Sequence, residues 1–140
     1  MASLHDFTTV ACPYDEVPGR LQTYLAGNDA AIALRLPIGD LRLERDVDVR
    51  LTPKPGYPGY KLLDVSWAPR DGGPYPAFTG TLTVADEGAG WSRIELDGTY
   101  KPPFGVVGAA VDAAVGHRIA AATATELLVD LKRILAQPAA

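Results

Sequence analysis

Apolar and polar side chains alternate with a period of two through the middle of the chain, and follow a helical period near its two ends. Ile32, Leu34 and Leu36 alternate with Ala33 and Arg35, and Val47, Val49 and Leu51 with Asp48 and Arg50. Leu63, Val65 and Trp67 alternate with Asp64 and Ser66. Phe78, Gly80, Leu82 and Val84 oppose Thr79, Thr81 and Thr83, while Ile94, Leu96, Gly98 and Tyr100 oppose Arg93, Glu95 and Asp97. A β-branched and aromatic stretch over residues 4–11 adds a first strand. Every strand keeps one polar face, which is the signature of an antiparallel sheet covered on one side and wet on the other. Asp71-Gly72-Gly73-Pro74 and Asp86-Glu87-Gly88 predict turns, and the prolines from Pro53 to Pro58 predict a loop, because proline cannot donate to a ladder.

Two segments break the alternation. From Pro13 to Ala26, Val17, Leu21, Tyr24 and Leu25 fall at helical spacing, with Asp15 and Glu16 ahead of them and Gly27-Asn28 as a stop. Pro18 fits if it lies in the first turn. The C-terminal stretch predicts a long helix reaching Leu135, with Ala120, Ala124, Leu127, Leu128, Leu131, Ile134 and Leu135 on one face and Glu126, Asp130, Lys132 and Arg133 on the other. Its first half is out of phase, since Phe104, Val107, Val111, Val115 and Ile119 fall opposite that face, leaving Val106, the small Ala109, Ala110 and Ala113, and His117 toward the sheet. Two arrangements fit. Either the helix bends near Gly116 and both halves turn their apolar stripes inward, or it runs straight, leaves empty volume above the sheet and offers the valine stripe to loops or to a second copy of the chain in a homodimer.

One sheet and one long helix that needs to cover it predict an α+β chain, a single domain over residues 1–140. A chain of 140 residues buries enough surface to fold without disulfides or a structural metal, and the lone Cys12 reads as a small buried hydrophobe. The net charge of −4 argues against a nucleic-acid partner, and Arg35, Arg42, Arg45 and Arg50 are interleaved with Asp40, Glu44, Asp46 and Asp48. The N-terminus lacks the layout of a signal peptide, and no apolar run is long enough for membrane insertion, so a cytoplasmic location is expected.

The order of strand, short helix, antiparallel strands and long C-terminal helix resembles the helix-grip fold of the START/Bet v 1-like (SRPBCC) superfamily. Phe78-Thr79-Gly80, then Leu96-Asp97-Gly98-Thr99-Tyr100-Lys101-Pro102-Pro103-Phe104-Gly105, with Asp112, Ala120 and Thr123, is similar to a bacterial group of uncharacterised members. The resemblance implies a curved antiparallel sheet of about six strands wrapped on the C-terminal helix, with a hydrophobic pocket between them. The chain departs from the pattern between Gly27 and Ala30, where there is almost no room for a second short helix.

Candidate chemistry is sparse. His5, His117 and Cys12 have no metal-ligand spacing, no phosphate loop or nucleophile elbow is present, and no cofactor is implied. Trp67, Phe78, Leu82, Ile94, Tyr100, Ala109, Ala113 and His117 are the candidate cavity lining. A carrier or sensor of a small hydrophobic ligand needs only that lining. A polyketide cyclase- or dehydratase-like enzyme would need inward polar groups, for which His117 with Tyr24 or Tyr100 could serve, and a protein–protein interaction module would use the valine stripe.

Overall fold

A computed structural model describes residues 2–27, 31–38, 41–69, 77–101 and 109–136, with side chains described for all of these except 2, 24–46 and 109–116. The chain forms β1 (Ala2–Val10), a single 3-10 turn (Tyr14–Glu16), α1 (Val17–Gly27), β2 (Ala31–Ile38), β3 (Leu41–Tyr57), β4 (Tyr60–Pro69), β5 (Phe78–Gly88), β6 (Trp91–Tyr100) and α2 (Ala109–Leu135). The strands make one sheet in the order β1-β6-β5-β4-β3-β2, and every neighbouring pair is antiparallel. Helix α2 touches both edge strands, β1 and β2, as well as β6 and α1. A sheet whose two edges meet the same helix is curled around it, and this is the helix-grip arrangement expected from the sequence.

The alternation fixes the register. Leu63, Val65, Trp67, Phe78, Leu82, Val84, Ile94, Leu96 and Tyr100 are all buried, while Asp64 and Asp97 are exposed and Thr81 and Glu95 half-buried. A slip of one residue would have exchanged the two sets. On the other side of the core, Ile119, Ala120, Thr123, Ala124, Leu127, Leu128, Leu131 and Leu135 of α2 are buried. Ile119, placed by its phase with the outward stripe, therefore joins the inward face. The other members of that stripe, Phe104, Val107, Val111 and Val115, lie outside the described side chains.

Curvature has a local cause. Gly80 and Gly98 face each other across β5 and β6, and a Cβ on either would run into the opposite strand's carbonyl oxygen and the Phe78 ring. Two glycines side by side let the strands approach and leave space on the buried face, which the Phe78 ring occupies. That ring stacks on Trp67 of β4 at 4.1 Å between centroids and 14° between planes.

Two predicted boundaries move. The stretch from Pro53 to Tyr57 is strand, not loop: Pro53 pairs with Leu63 and Lys54 with Leu62 before the register shifts between Lys54 and Tyr57. Among the described residues β2 pairs with β3 only as far as Asp48, so beyond it β3 has a single described neighbour, and a proline whose missing N–H faces the free side costs no ladder bond. The chain then turns at Pro58-Gly59, with Gly59 at φ +83°. Strand β5 likewise continues through Asp86 and Glu87, and the turn falls on Ala89-Gly90, both at positive φ as a two-residue hairpin of the primed type requires.

Helices and sheet are tied at one end of the core. Arg20 of α1 is nearly buried; it donates through Nη1 to the Leu135 carbonyl at the C-terminus of α2 and through Nη2 to Glu16 at 3.2 Å. A helix C-terminus leaves its last carbonyls without partners, and a guanidinium is suited to fill one. Ser92 is buried and donates its hydroxyl to the Cys12 carbonyl at 2.6 Å, and Cys12 itself is buried, with its thiol pKa pushed up by desolvation. Both are structural groups, as burial of an unactivated thiol implies.

Candidate functional site

Of the eight candidate residues, five stand together on the buried face of the sheet: Trp67, Phe78, Leu82, Ile94 and Tyr100. Phe78 pairs with both Trp67 and Tyr100 across its two neighbouring strands, and Leu82 pairs with Leu63 and Leu96. Ala109 and Ala113 belong to α2, but their side chains lie outside the described residues. His117 is exposed, which corrects its placement on the sheet-facing side: it sits on the flank of the buried stripe, at the rim of the core. It still reaches inward, with Nδ1 3.1 Å from the Tyr100 phenol oxygen and the two rings 6.2 Å apart. Burial raises the Tyr100 pKa, so the phenol keeps its proton and can donate to the imidazole.

Along its second half, α2 turns a stripe of buried side chains toward the core. Among the described residues, an apolar cleft of about 500 Å³ opens between α1 with its preceding 3-10 turn and the β3–β4 hairpin. Val17 and Leu21, one helical turn apart on α1, line it together with Leu63 and Val84 on the buried face of the sheet. Tyr14, Tyr57 and Tyr60 stand around its mouth, and Pro18 and Gln22 of α1 border it. Gly56 lets the hairpin close beside it, because a Cβ there would collide with the Tyr60 carbonyl oxygen. None of the six candidates with described side chains lines this cleft: it is at the end of the sheet that carries the β3–β4 hairpin, and Trp67, Phe78 and Tyr100 are toward the other.

Two lysines border the cleft and differ in kind. Lys54 belongs to the wet face, where it pairs with Asp64 at 2.8 Å and donates to Thr81 at 3.1 Å. Lys61 has the same parity as Leu63, Val65 and Trp67, so it continues the buried row of β4 to the end of the strand, opposite Val84. Its ammonium lies 4.5 Å from the centroid of the Tyr14 ring.

No protein-family model matches the chain, and no curated protein sequence matches it. Among solved structures the chain is similar to the Zhui aromatase/cyclase from Streptomyces sp. R1128, at 15% identity, with 94% of each chain covered and a TM-score of 0.48. It is also similar to a conserved protein from Geobacillus kaustophilus, at 10% identity, covering 94% of this chain and 96% of that one, with a TM-score of 0.47. A third is the Mll3558 protein from Rhizobium loti, at 14% identity, 89% and 96% coverage and a TM-score of 0.39. At these values none of the likenesses assigns an activity or a ligand.

Sequence reading passed over two groups. Lys61 could have been found, because a lysine at the apolar parity of a strand is out of pattern. The second, His5 with Glu95 and Asp97, is assembled only by strand pairing: His5 lies opposite Asp97, and the ligand atoms of all three are within 4.8 Å of one another on the wet face. Histidine and carboxylates can hold a divalent cation. In this structure the group is already bonded internally, with His5 Nδ1 2.5 Å from Asp97, His5 Nε2 3.4 Å from Glu95, and Glu95 shared with Arg93 at 3.3 Å. None of the described helices is long and apolar enough to cross a membrane.

Proposed function

We propose that the protein binds a small hydrophobic molecule, as a carrier or sensor, in the cleft between α1 and the β3–β4 hairpin. The observation that carries this reading is the cleft itself: about 500 Å³, floored by Val17, Leu21, Leu63 and Val84. Ligand sites are commonly clefts of roughly 300–1,000 Å³ with an apolar lining and few polar groups. The resemblance to the SRPBCC superfamily favours the same class of function. That resemblance implies a pocket between sheet and C-terminal helix, whereas this cleft is bounded by α1 and the β3–β4 hairpin.

The reading is tested with N-phenyl-1-naphthylamine, a neutral probe that fluoresces in apolar surroundings. Saturable enhancement is expected, lost in Gln22→Trp, which fills the cleft from an exposed position on α1, and kept in Glu126→Trp on the exposed face of α2. No saturable enhancement, or equal binding by both variants, would overturn it.

One observation favours a second reading, a polyketide cyclase- or dehydratase-like enzyme. The Tyr100 phenol and the His117 imidazole, 3.1 Å apart, form a phenol–imidazole couple of the kind that moves protons.

A further inference from the structure

Lys61 is an anomaly of pattern. The buried row of β4 reads Lys61, Leu63, Val65, Trp67, and the alternation that makes the last three core residues gives the first the same direction. Its stem lies along the cleft beside Val84, and its ammonium is held over the Tyr14 ring. A lysine can lay its methylenes on apolar surface while keeping its charged end at the boundary.

The charge is unspent. Four cations of the described residues have acidic partners: Arg20 with Glu16, Lys54 with Asp64, Arg93 with Glu95 and Arg133 with Asp130. No ion pair among the described residues involves Lys61, although the chain carries a net charge of −4. Glu16, close to Tyr14 in the chain, is already held by Arg20. The ring occupies one side of the ammonium, and its N–H donors on the other sides remain for a ligand.

We infer that the cleft selects an amphipathic anion, a hydrophobic chain bearing a carboxylate. The chain lies on Val17, Leu21, Leu63 and Val84, and the carboxylate accepts hydrogen bonds from the Lys61 ammonium. The apolar floor supplies most of the affinity and no polarity. The lysine supplies the preference for a charged head, and its partial exposure makes that preference sensitive to salt. This inference rests on the cleft being the binding site, and adds to it which class of molecule is preferred.

The test displaces N-phenyl-1-naphthylamine with decanoate and with decan-1-ol, which share a ten-carbon chain and differ in charge. Decanoate is expected to compete better than the alcohol at low ionic strength, with the advantage shrinking as salt is added. Lys61→Met keeps an unbranched apolar stem over Tyr14 and removes the charge; it should weaken decanoate by roughly three- to tenfold and leave decan-1-ol and the probe unchanged. Lys61→Arg should retain the preference. If the probe binds but decanoate and decan-1-ol compete equally, or if Lys61→Met weakens both alike, the head-group inference is overturned while the cleft stands. If the probe itself does not bind, it is the cleft that fails.

Discussion

His5 shows how one exposed side chain can report on strand pairing. Its pKa is raised above the ordinary 6.5, first by the hydrogen bond to Asp97, which with the charges of Asp97 and Glu95 outweighs desolvation and the nearby Arg93. Because the folded value lies above the unfolded one, the pair's contribution to stability is fully present below pH 6.5 and is lost as pH rises through the folded value. Asp97→Asn removes the charged acceptor directly opposite His5. The His5 ring protons, followed by NMR against pH, should then titrate at a lower pH than in the parent. An unchanged titration would mean that β1 and β6 do not hold this register at the edge of the sheet. The same pairing explains why the His5, Glu95 and Asp97 group could not be read from the chain: about ninety residues separate His5 from the two carboxylates, and the antiparallel register of β1 on β6 brings them together.

At the scale of elements, most of the sheet was legible because each strand declares its buried face by parity alone. What parity does not declare is where a strand tolerates an exception. Pro53 and Pro55 lie within β3 because that part of the strand has one described neighbour instead of two, a fact of topology rather than of composition. The glycine pair of β5 and β6 is an exception of another kind. Gly98→Ala should lower stability by about 3 kcal/mol, the upper end of what overpacking costs, because the new methyl would meet the Thr79 carbonyl oxygen and the Phe78 ring. Gly19→Ala makes the same chemical change in α1, where a Cβ would have nothing within 4 Å, and should stabilise by about 0.5–1 kcal/mol. Urea denaturation of the two variants checks the pair; similar losses in both would show that the close approach of β5 and β6 is not what these glycines serve. Helix α2 was legible from Ala120 onward, where Ala120, Ala124, Leu127, Leu128, Leu131 and Leu135 form one buried stripe as their spacing predicts, whereas the burial of Ile119 was not legible. His117 was assigned inward because it lies near that stripe in angle, but a position on its flank is decided by how far the sheet curls, which the periodicity of one helix does not contain.

On the scale of the whole molecule, sheet and helix α2 leave two ends. The end carrying Trp67, Phe78, Tyr100 and His117 holds the candidates visible in the sequence as aromatic residues on apolar faces, and they do come together, as a stacked pair and a phenol–imidazole contact. The cleft is at the other end, built by α1 against a hairpin more than thirty residues further on, a juxtaposition that no local pattern encodes. Only Lys61 marked it in the sequence, through its parity. Binding in that cleft is the central claim, and amide chemical-shift mapping of the 15N-labelled protein titrated with N-phenyl-1-naphthylamine tests it most directly. The expected result is a set of saturable shifts confined to residues 14–22, the β3–β4 hairpin from Pro53 to Leu63, and Val84. Shifts centred instead on Trp67, Phe78, Tyr100 and His117, or no saturable shifts at all, would contradict it.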